Sequence, residues 1–339
     1  MTNQSNRGVL IIGAAGYIGP VVAKHLLGLG HRVRAMDLFL YPTRTVLQGI
    51  VENPAFKLLE GDHCDQALME RSLAGVTDVI ILSGLVGDPI TKKYPDASKK
   101  INEDGMRALI GMFKNKGLDR VIFVSTCSNY GLIKEDELAD EGFELNPLSL
   151  YAKAKVAMEQ ELLGLVGKVD FQPTVLRFAT AFGLAPRMRF DLTVSQFTRD
   201  MFLGRDMLVY DAATWRPYCH VKDFGKVIQR VLEAPAEDVA FEVFNAGGDV
   251  NNFTKQMIVD AILEALPEAK VAYQEHGEDP RNYRVYFAKI RDRLGFEPKY
   301  TVSDGVSELI EALKQGQFAD FDDNPNFYGN YEIDYPASH

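Results

Sequence analysis

The 339-residue chain reads as an α/β protein, a doubly wound parallel sheet with a smaller C-terminal lobe, and three observations lead to that reading. Short continuous apolar runs recur through its first half, as expected of strands covered on both faces. Stretches of helical period separate most of them. The first run ends in evenly spaced glycines, Gly13, Gly16 and Gly19, a strand-turn-helix signature.

Taken in order, Val9 to Ile12 gives a buried strand that feeds the glycine turn and a helix over Val21 to Leu29. Arg32 to Asp37 gives a second strand, Lys57 to Glu60 a third, Val79 to Leu82 a fourth and Val121 to Val124 a fifth. A helix from Ile101 to Lys116 precedes the fifth strand, and the helix carrying Tyr151 precedes a sixth, Thr174 to Arg177. Such alternation implies parallel connections. After Gly183 the pattern loosens into a helix over Asp191 to Phe202, a strand over Met207 to Tyr210 and a helix over Val221 to Leu232. Phe241 to Phe244 reads as a strand, and Gln256 to Leu266 and Val302 to Leu313 as helices. Residues 1–180, with returning segments about 217–265, are assigned to the main sheet, and 181–216 with 266–339 to the smaller lobe and tail. Phe318 to His339, acidic, aromatic and broken at Asn-Pro and Tyr-Gly-Asn, reads as an irregular tail.

Composition narrows the function. A net charge of -10, with no stripe of lysine and arginine, argues against a nucleic-acid partner. The cysteines, Cys64, Cys127 and Cys219, have neither metal-site spacing nor an even number for disulfides, so no metal and a reducing, cytoplasmic setting are expected. Val9 to Ile12 is too brief an apolar run for a signal peptide or membrane span, and no membrane partner is expected.

The glycine turn carries a definite physical expectation. Gly13 makes the turn, Gly16 lets backbone approach a pyrophosphate and Gly19 lets helix pack on strand, with Tyr17 and Ile18 alongside and helix N-H groups facing the anion. Asp37, ending the second strand, can accept from a ribose diol and would repel a 2'-phosphate, which selects NAD over NADP. Asp62 either holds the adenine amino group or caps a helix.

Tyr151 and Lys155 lie four residues apart and share a helix face, where the ammonium can stabilise phenolate and make the phenol a general base. Thr126, at the end of strand five, is the natural third member, or else a strand-end hydroxyl bonded to its own loop. With Gly61-Asp62, Ser125-Thr126, Tyr130-Gly131 and Arg216-Pro-Tyr-Cys-His-Val-Lys-Asp223, the chain resembles the extended short-chain dehydrogenase/reductase family, in its nucleotide-sugar epimerase and dehydratase group. The resemblance implies a Rossmann-type NAD domain and oxidation, usually at C4, of a nucleotide-diphosphate sugar. By it, Tyr151 takes the hydroxyl proton, Lys155 also holds the nicotinamide ribose, and Thr126 bonds the sugar oxygen. It further implies a homodimer through two helices, with Ala108, Met112, Ala157 and Leu162 as apolar members.

Departures from that group matter. The acidic pair that follows the threonine in the 4,6-dehydratases is replaced by Cys127 and Ser128, and the glutamate of the sugar-acid decarboxylases is missing at Ser128. A 4-epimerase is the leading expectation, a 4-dehydrogenase the alternative; a dehydratase or a non-catalytic NAD-sensing protein ranks lower. Arg187, Arg189, Arg216 and Arg281 are expected at the substrate diphosphate, and Thr180 takes the place of a substrate-contacting asparagine. His220 is assigned no chemistry, Asn102 is expected to bend or cap its helix, and Gly87-Asp88-Pro89 reads as a turn bordering nicotinamide and sugar.

Overall fold

The structure is a computed structural model that describes residues 6–134 and 136–335. Seven parallel strands form the main sheet: β1 (Gly8–Ile12), β2 (Arg32–Asp37), β3 (Phe56–Glu60), β4 (Asp78–Ile81), β5 (Arg120–Thr126), β6 (Gln172–Phe178) and, later in the chain, the strand Glu242–Ala246. Their spatial order is β3, β2, β1, β4, β5, β6 and then Glu242–Ala246. The order reverses between β1 and β4, and a crevice opens there beyond the carboxyl ends of the strands.

Both faces are covered, which is why the strands read as unbroken apolar runs. Val9 and Ile11 of β1 join one core with helix α1 (Gly19–Gly28), while Leu10 and Ile12 join the other with α2 (Gln66–Leu73). The segment between β4 and β5 holds α3 (Asp88–Lys93), α4 (Pro95–Lys99), a π-helical turn over Lys100–Asp104 and α5 (Gly105–Met112). The sequence predicts one helix from Ile101 to Lys116; the π turn forms where Asn102 leaves the ladder's register to bond both the N-H and the carbonyl of Leu85, at 2.7 and 3.0 Å. Asn102 thus ties this helical segment to the loop after β4. Helix α6 (Leu150–Leu163), N-capped by Ser149, carries Tyr151 and Lys155.

Beyond β6 lie β7 (Thr180–Phe182), α7 (Thr193–Phe202), β8 (Met207–Tyr210), β9 (Trp215–His220), α8 (Val221–Glu233) and α9 (Ala236–Val239). Next come Glu242–Ala246 as β10, β11 (Asn252–Thr254), α10 (Lys255–Ala265), β12 (Val271–Gln274), α11 (Ala288–Leu294) and α12 (Val302–Lys314). Strand β9 sits between β7 and β11 in a small sheet, and β12 pairs with β8 in parallel. Helix α10, placed by the sequence with the main sheet, instead packs Ile258, Val259 and Ile262 against α7 and α12, because β11 delivers it to the small sheet. The division into lobes at the residue numbers given above otherwise stands as a proposal.

His220 caps α8 through its ring and meets Glu308 at 2.9 Å, a structural hydrogen bonder with Phe182 and Tyr300 against it. Of the four apolar residues expected at a subunit contact, Leu162 is wholly buried in its own core, Met112 and Ala157 pack against that core, and Ala108 is exposed. Among the described residues no helix is long and apolar enough to cross a membrane.

Candidate active site

A cavity of about 540 Å³ occupies the crevice, lined by the ends of β1, β4, β5 and β6 and by the small lobe. The glycine turn forms its floor. Gly13 has φ +88°, and a Cβ there would lie 2.6 Å from the Ser83 nitrogen. At Gly19 a side chain would overlap the Ala14 carbonyl, so helix and strand touch through backbone. Gly16 differs: a Cβ would meet nothing nearer than the Gly13 carbonyl at 3.7 Å, so its bare backbone leaves open space at the start of α1. That open cradle, with N-H donors and the N-terminal helix partial charge beside it, fits a dinucleotide pyrophosphate.

Ile18 lines the cavity at the helix start, whereas the Tyr17 hydroxyl donates to the Gly183 carbonyl at 2.5 Å and ties the turn to the small lobe. Asp37 lines the cavity and already accepts from the N-H of Ala15 at 2.7 Å and of Phe39 at 2.8 Å. Burial pushes its carboxyl up, and these backbone donors oppose that. Arg34 turns away to the Ser72 and Ala74 carbonyls, and Arg44 forks onto Glu60. Asp62 accepts from the Cys64 N-H at 2.8 Å and from the Tyr335 hydroxyl at 2.9 Å. Ligand-type atoms of Asp62, His63 and Cys64 fall within 4.8 Å of one another, but Asp62 already has those partners.

The helix geometry brings Tyr151 to the cavity wall and Lys155 behind it. The ammonium donates to the Val124 carbonyl at 2.8 Å and stands 4.6 Å from the Phe123 ring centre and 5.9 Å from that of Tyr151. Burial pushes Lys155 down to about 8. The phenol of Tyr151 is pushed above its ordinary value, first by burial and then by Asp88, with Arg189 opposing. The neighbouring lysine therefore does not by itself make this phenol acidic: burial outweighs it, and its ammonium is directed at the Val124 carbonyl. Thr126 caps the short turn after β5, its hydroxyl accepting from the Ser128 N-H at 3.1 Å and meeting the Ser128 hydroxyl at 2.9 Å. Both hydroxyls line the cavity. Cys127 does not: it is buried, with its thiol on the Arg177 carbonyl and pushed up by burial.

The four arginines expected at the diphosphate separate into two pairs. Arg216 and Arg281 share Asp279, at 3.1 and 2.7 Å, and Arg281 also reaches Asp88 at 2.9 Å. Burial would raise the Asp279 carboxyl, but Arg281 and Arg216 hold it below the ordinary range. Arg189 instead forks onto Asp191 at 2.6 Å, while Arg187 donates to the Phe327 and Gly329 carbonyls and to Asn330, over the Tyr41 ring. Burial and the adjacent Arg189 push Arg187 down to about 10. Thr180 lines the cavity on β7, in register with Tyr218.

The sequence placed Gly87-Asp88-Pro89 beside nicotinamide and sugar, and Asp88 lines the cavity; sequence reasoning missed its ion pair with Arg281, and it missed the packing of the tail. Gly87, with φ +116°, lets Asp88 and Pro89 open α3 rather than a simple turn. The tail carries no regular element over 318–335, yet Tyr328 is buried among Phe190, Phe318, Phe321 and Phe327, and Asn330 bonds the Val86 carbonyl at 2.9 Å. Its density of aromatics was the available signal, since an exposed tail has no use for them.

Comparison with known proteins agrees with this geometry. Residues 9–247 match the NAD dependent epimerase/dehydratase family. The chain is 24% identical over 322 residues to UDP-glucuronic acid decarboxylase 4 of Arabidopsis thaliana, covering 92% of this chain and 70% of that one. It is 26% identical over 315 residues to the dTDP-glucose 4,6-dehydratase of Streptomyces niveus, covering 89% and 91%. Among solved structures, UDP-glucose 4-epimerase from Thermotoga maritima superposes with a TM-score of 0.81 at 24% identity, covering 91% of this chain and 99% of that one. UDP-glucuronic acid 4-epimerase from Bacillus cereus, solved with UDP-glucuronic acid and NAD, gives 0.82 at 22% identity with the same coverage. The fold, the glycine cradle and the matched span lead to one conclusion: the chain belongs to the NAD dependent epimerase/dehydratase family, with NAD as its cofactor.

Proposed function

We propose that the protein oxidises C4 of a nucleotide-diphosphate hexose or heptose and returns the hydride to the opposite face, as a nucleotide-sugar 4-epimerase. The observation that carries the reading is one cavity wall shared by Tyr151, Thr126 and Ser128, with Arg216 and Arg281 on the same cavity. When bound, NAD would supply hydride acceptance and positive charge. Gly13, Gly16, Ile18 and Gly19 would hold its pyrophosphate, and Asp37 and Asp62 would be the acceptors for its ribose and adenine. Tyr151 takes the C4 hydroxyl proton, and Lys155 keeps a cation behind it. Thr126 and Ser128 hydrogen-bond the sugar oxygen as it gains carbonyl character, and Arg216 with Arg281 clasps the diphosphate.

The replacement at 127 and 128 supports epimerisation over dehydration. A buried cysteine outside the cavity and a serine offer no acid for a leaving hydroxyl at neutral pH. The same absence leaves net 4-dehydrogenation as the second reading, since it releases the 4-keto sugar that epimerisation only passes through. A pairing of α5 and α6 across a twofold axis into a homodimer belongs to the same proposal. Purified protein incubated with UDP- and dTDP-linked glucose and galactose should interconvert the C4 epimers, read by proton NMR, with no net reduced nicotinamide. Stoichiometric reduced nicotinamide with a released keto sugar would replace the epimerase reading with the dehydrogenase one.

A further inference from the structure

We propose that Asp88 is a sugar-binding residue that makes the site selective for a neutral, hydroxyl-bearing sugar over a uronate; this rests on the nucleotide-sugar reading above. Asp88 lines the cavity as the first residue of α3, fixed between Gly87 at φ +116° and Pro89. Its Oδ2 accepts from Arg281 at 2.9 Å. Its Oδ1 is buried and has no hydrogen-bond partner among the described residues. A carboxylate oxygen left in that condition is costly, and because the side chain lines the cavity, a turn of the carboxylate toward it lets a ligand donor complete the oxygen.

The position says which donor. A nucleotide sugar must run from the diphosphate cations to the phenol, and Asp88, lining the same cavity, acts electrostatically on both ends of that path. It is ion-paired with Arg281 and stands near enough to Tyr151 to push its phenol up. The sugar ring lies between, and sugar hydroxyls are donors that an acceptor-only carboxylate suits. A uronate brings a carboxylate to the same place. Among the described arginines and lysines that line the cavity, Arg187 is held by the tail carbonyls, Arg189 by Asp191 and Lys255 by the Tyr210 carbonyl, while Arg216 and Arg281, shared with Asp279, are committed to the diphosphate. A second anion beside Oδ1 would meet repulsion with no spare cation nearby to offset it.

The test is calorimetric titration of the NAD-loaded protein with UDP, UDP-glucose and UDP-glucuronate, and with the dTDP counterparts, which reads binding whether or not C4 is oxidised. Wild type should bind the neutral sugar nucleotide about tenfold or more tighter than the uronate. Asp88→Ala should erase most of the gain of UDP-glucose over bare UDP, about tenfold, and Asp88→Asn should shrink the penalty on the uronate to about threefold or less. NAD content and melting temperature confirm that each variant is folded, and the wild-type comparison needs no variant. A wild type that binds UDP-glucuronate as tightly as UDP-glucose overturns the proposal, as do folded variants that leave both ratios unchanged. Absence of binding by any nucleoside diphosphate overturns it together with the nucleotide-sugar reading, whereas binding with the expected preference but no C4 turnover supports it and defeats only the C4 reading.

Discussion

Glu159 and Arg177 form a buried, forked ion pair behind strand β5, with Nη2 to Oε2 at 2.7 Å and Nε to the same carboxylate at 3.0 Å. Glu159 lies one turn beyond Lys155 on α6; the pair ties the helix bearing Tyr151 to β6, and the same carboxylate, accepting from Ser125 and Asn129, ties it to the strand bearing Thr126 and the turn after it. Burial would push the guanidinium down, and Glu159 outweighs it. Arg177→Met leaves the acid buried without its counter-charge and should cost about 3–5 kcal/mol in guanidinium unfolding. A loss below about 1 kcal/mol would mean that Ser125 and Asn129 alone satisfy Glu159.

Lys155 predicts a conflict between stability and function. Its folded-state value of about 8 lies below the unfolded value of 10.5, so the unfolded chain binds more protons between those limits and stability rises with pH across that window. Below pH 8 the lysine is charged in both states, and its desolvation is fully felt. Lys155→Met should therefore be inactive yet more stable than wild type at pH 7, by about 1–3 kcal/mol. Unfolding measured at pH 7 and pH 9.5 should show that margin narrowing as wild type gains. An equal margin at both pH values would contradict the assignment.

The glycines of the first turn should divide by role. Gly19→Ala overlaps the Ala14 backbone and should destabilise the fold, whereas Gly16→Ala meets no protein atom closer than 3.7 Å and should fold normally. It should nevertheless weaken NAD binding by about tenfold or more, because the added methyl fills the pyrophosphate cradle. Paired melting and NAD titrations check this, and unchanged NAD affinity in Gly16→Ala would move the pyrophosphate elsewhere.

The tail closes the same cavity. Asn330 joins Val86 and Arg187, Lys93 meets Glu332 at 3.1 Å, and Tyr335 meets Asp62, so residues 330–335 bridge the loops after β3 and β4 and the small lobe. A chain ending at Gly329 should release NAD about tenfold faster in stopped-flow fluorescence, the loss of one to two net hydrogen bonds. Slower release would show that Tyr335 competes with the adenine for Asp62.

Local features were legible in the sequence and distant ones were not. The glycine turn, the six main strands and the Tyr151–Lys155 spacing depend on neighbours in the chain, and each formed where its residues indicated. The direction taken by Lys155 was hidden, because its partner is the Val124 carbonyl on another element. The same holds for the pairing of β12 with β8, whose residues are mostly exposed, and for Arg187, whose partners lie in the tail some 140 residues on. Asp88 was obscured differently: Gly-Asp-Pro has a ready local explanation as a turn, and its ion-pair partner Arg281 is distant in the chain.

Proton removal by Tyr151 coupled to hydride loss from C4 is tested most directly by single-turnover absorbance at the reduced-nicotinamide band with UDP-glucose carrying deuterium at C4. The account predicts a transient that deuterium slows several-fold and that Tyr151→Phe slows by about 10²–10⁴-fold while UDP binding is retained. A transient insensitive to C4 deuterium, or one of wild-type rate in Tyr151→Phe, would contradict it.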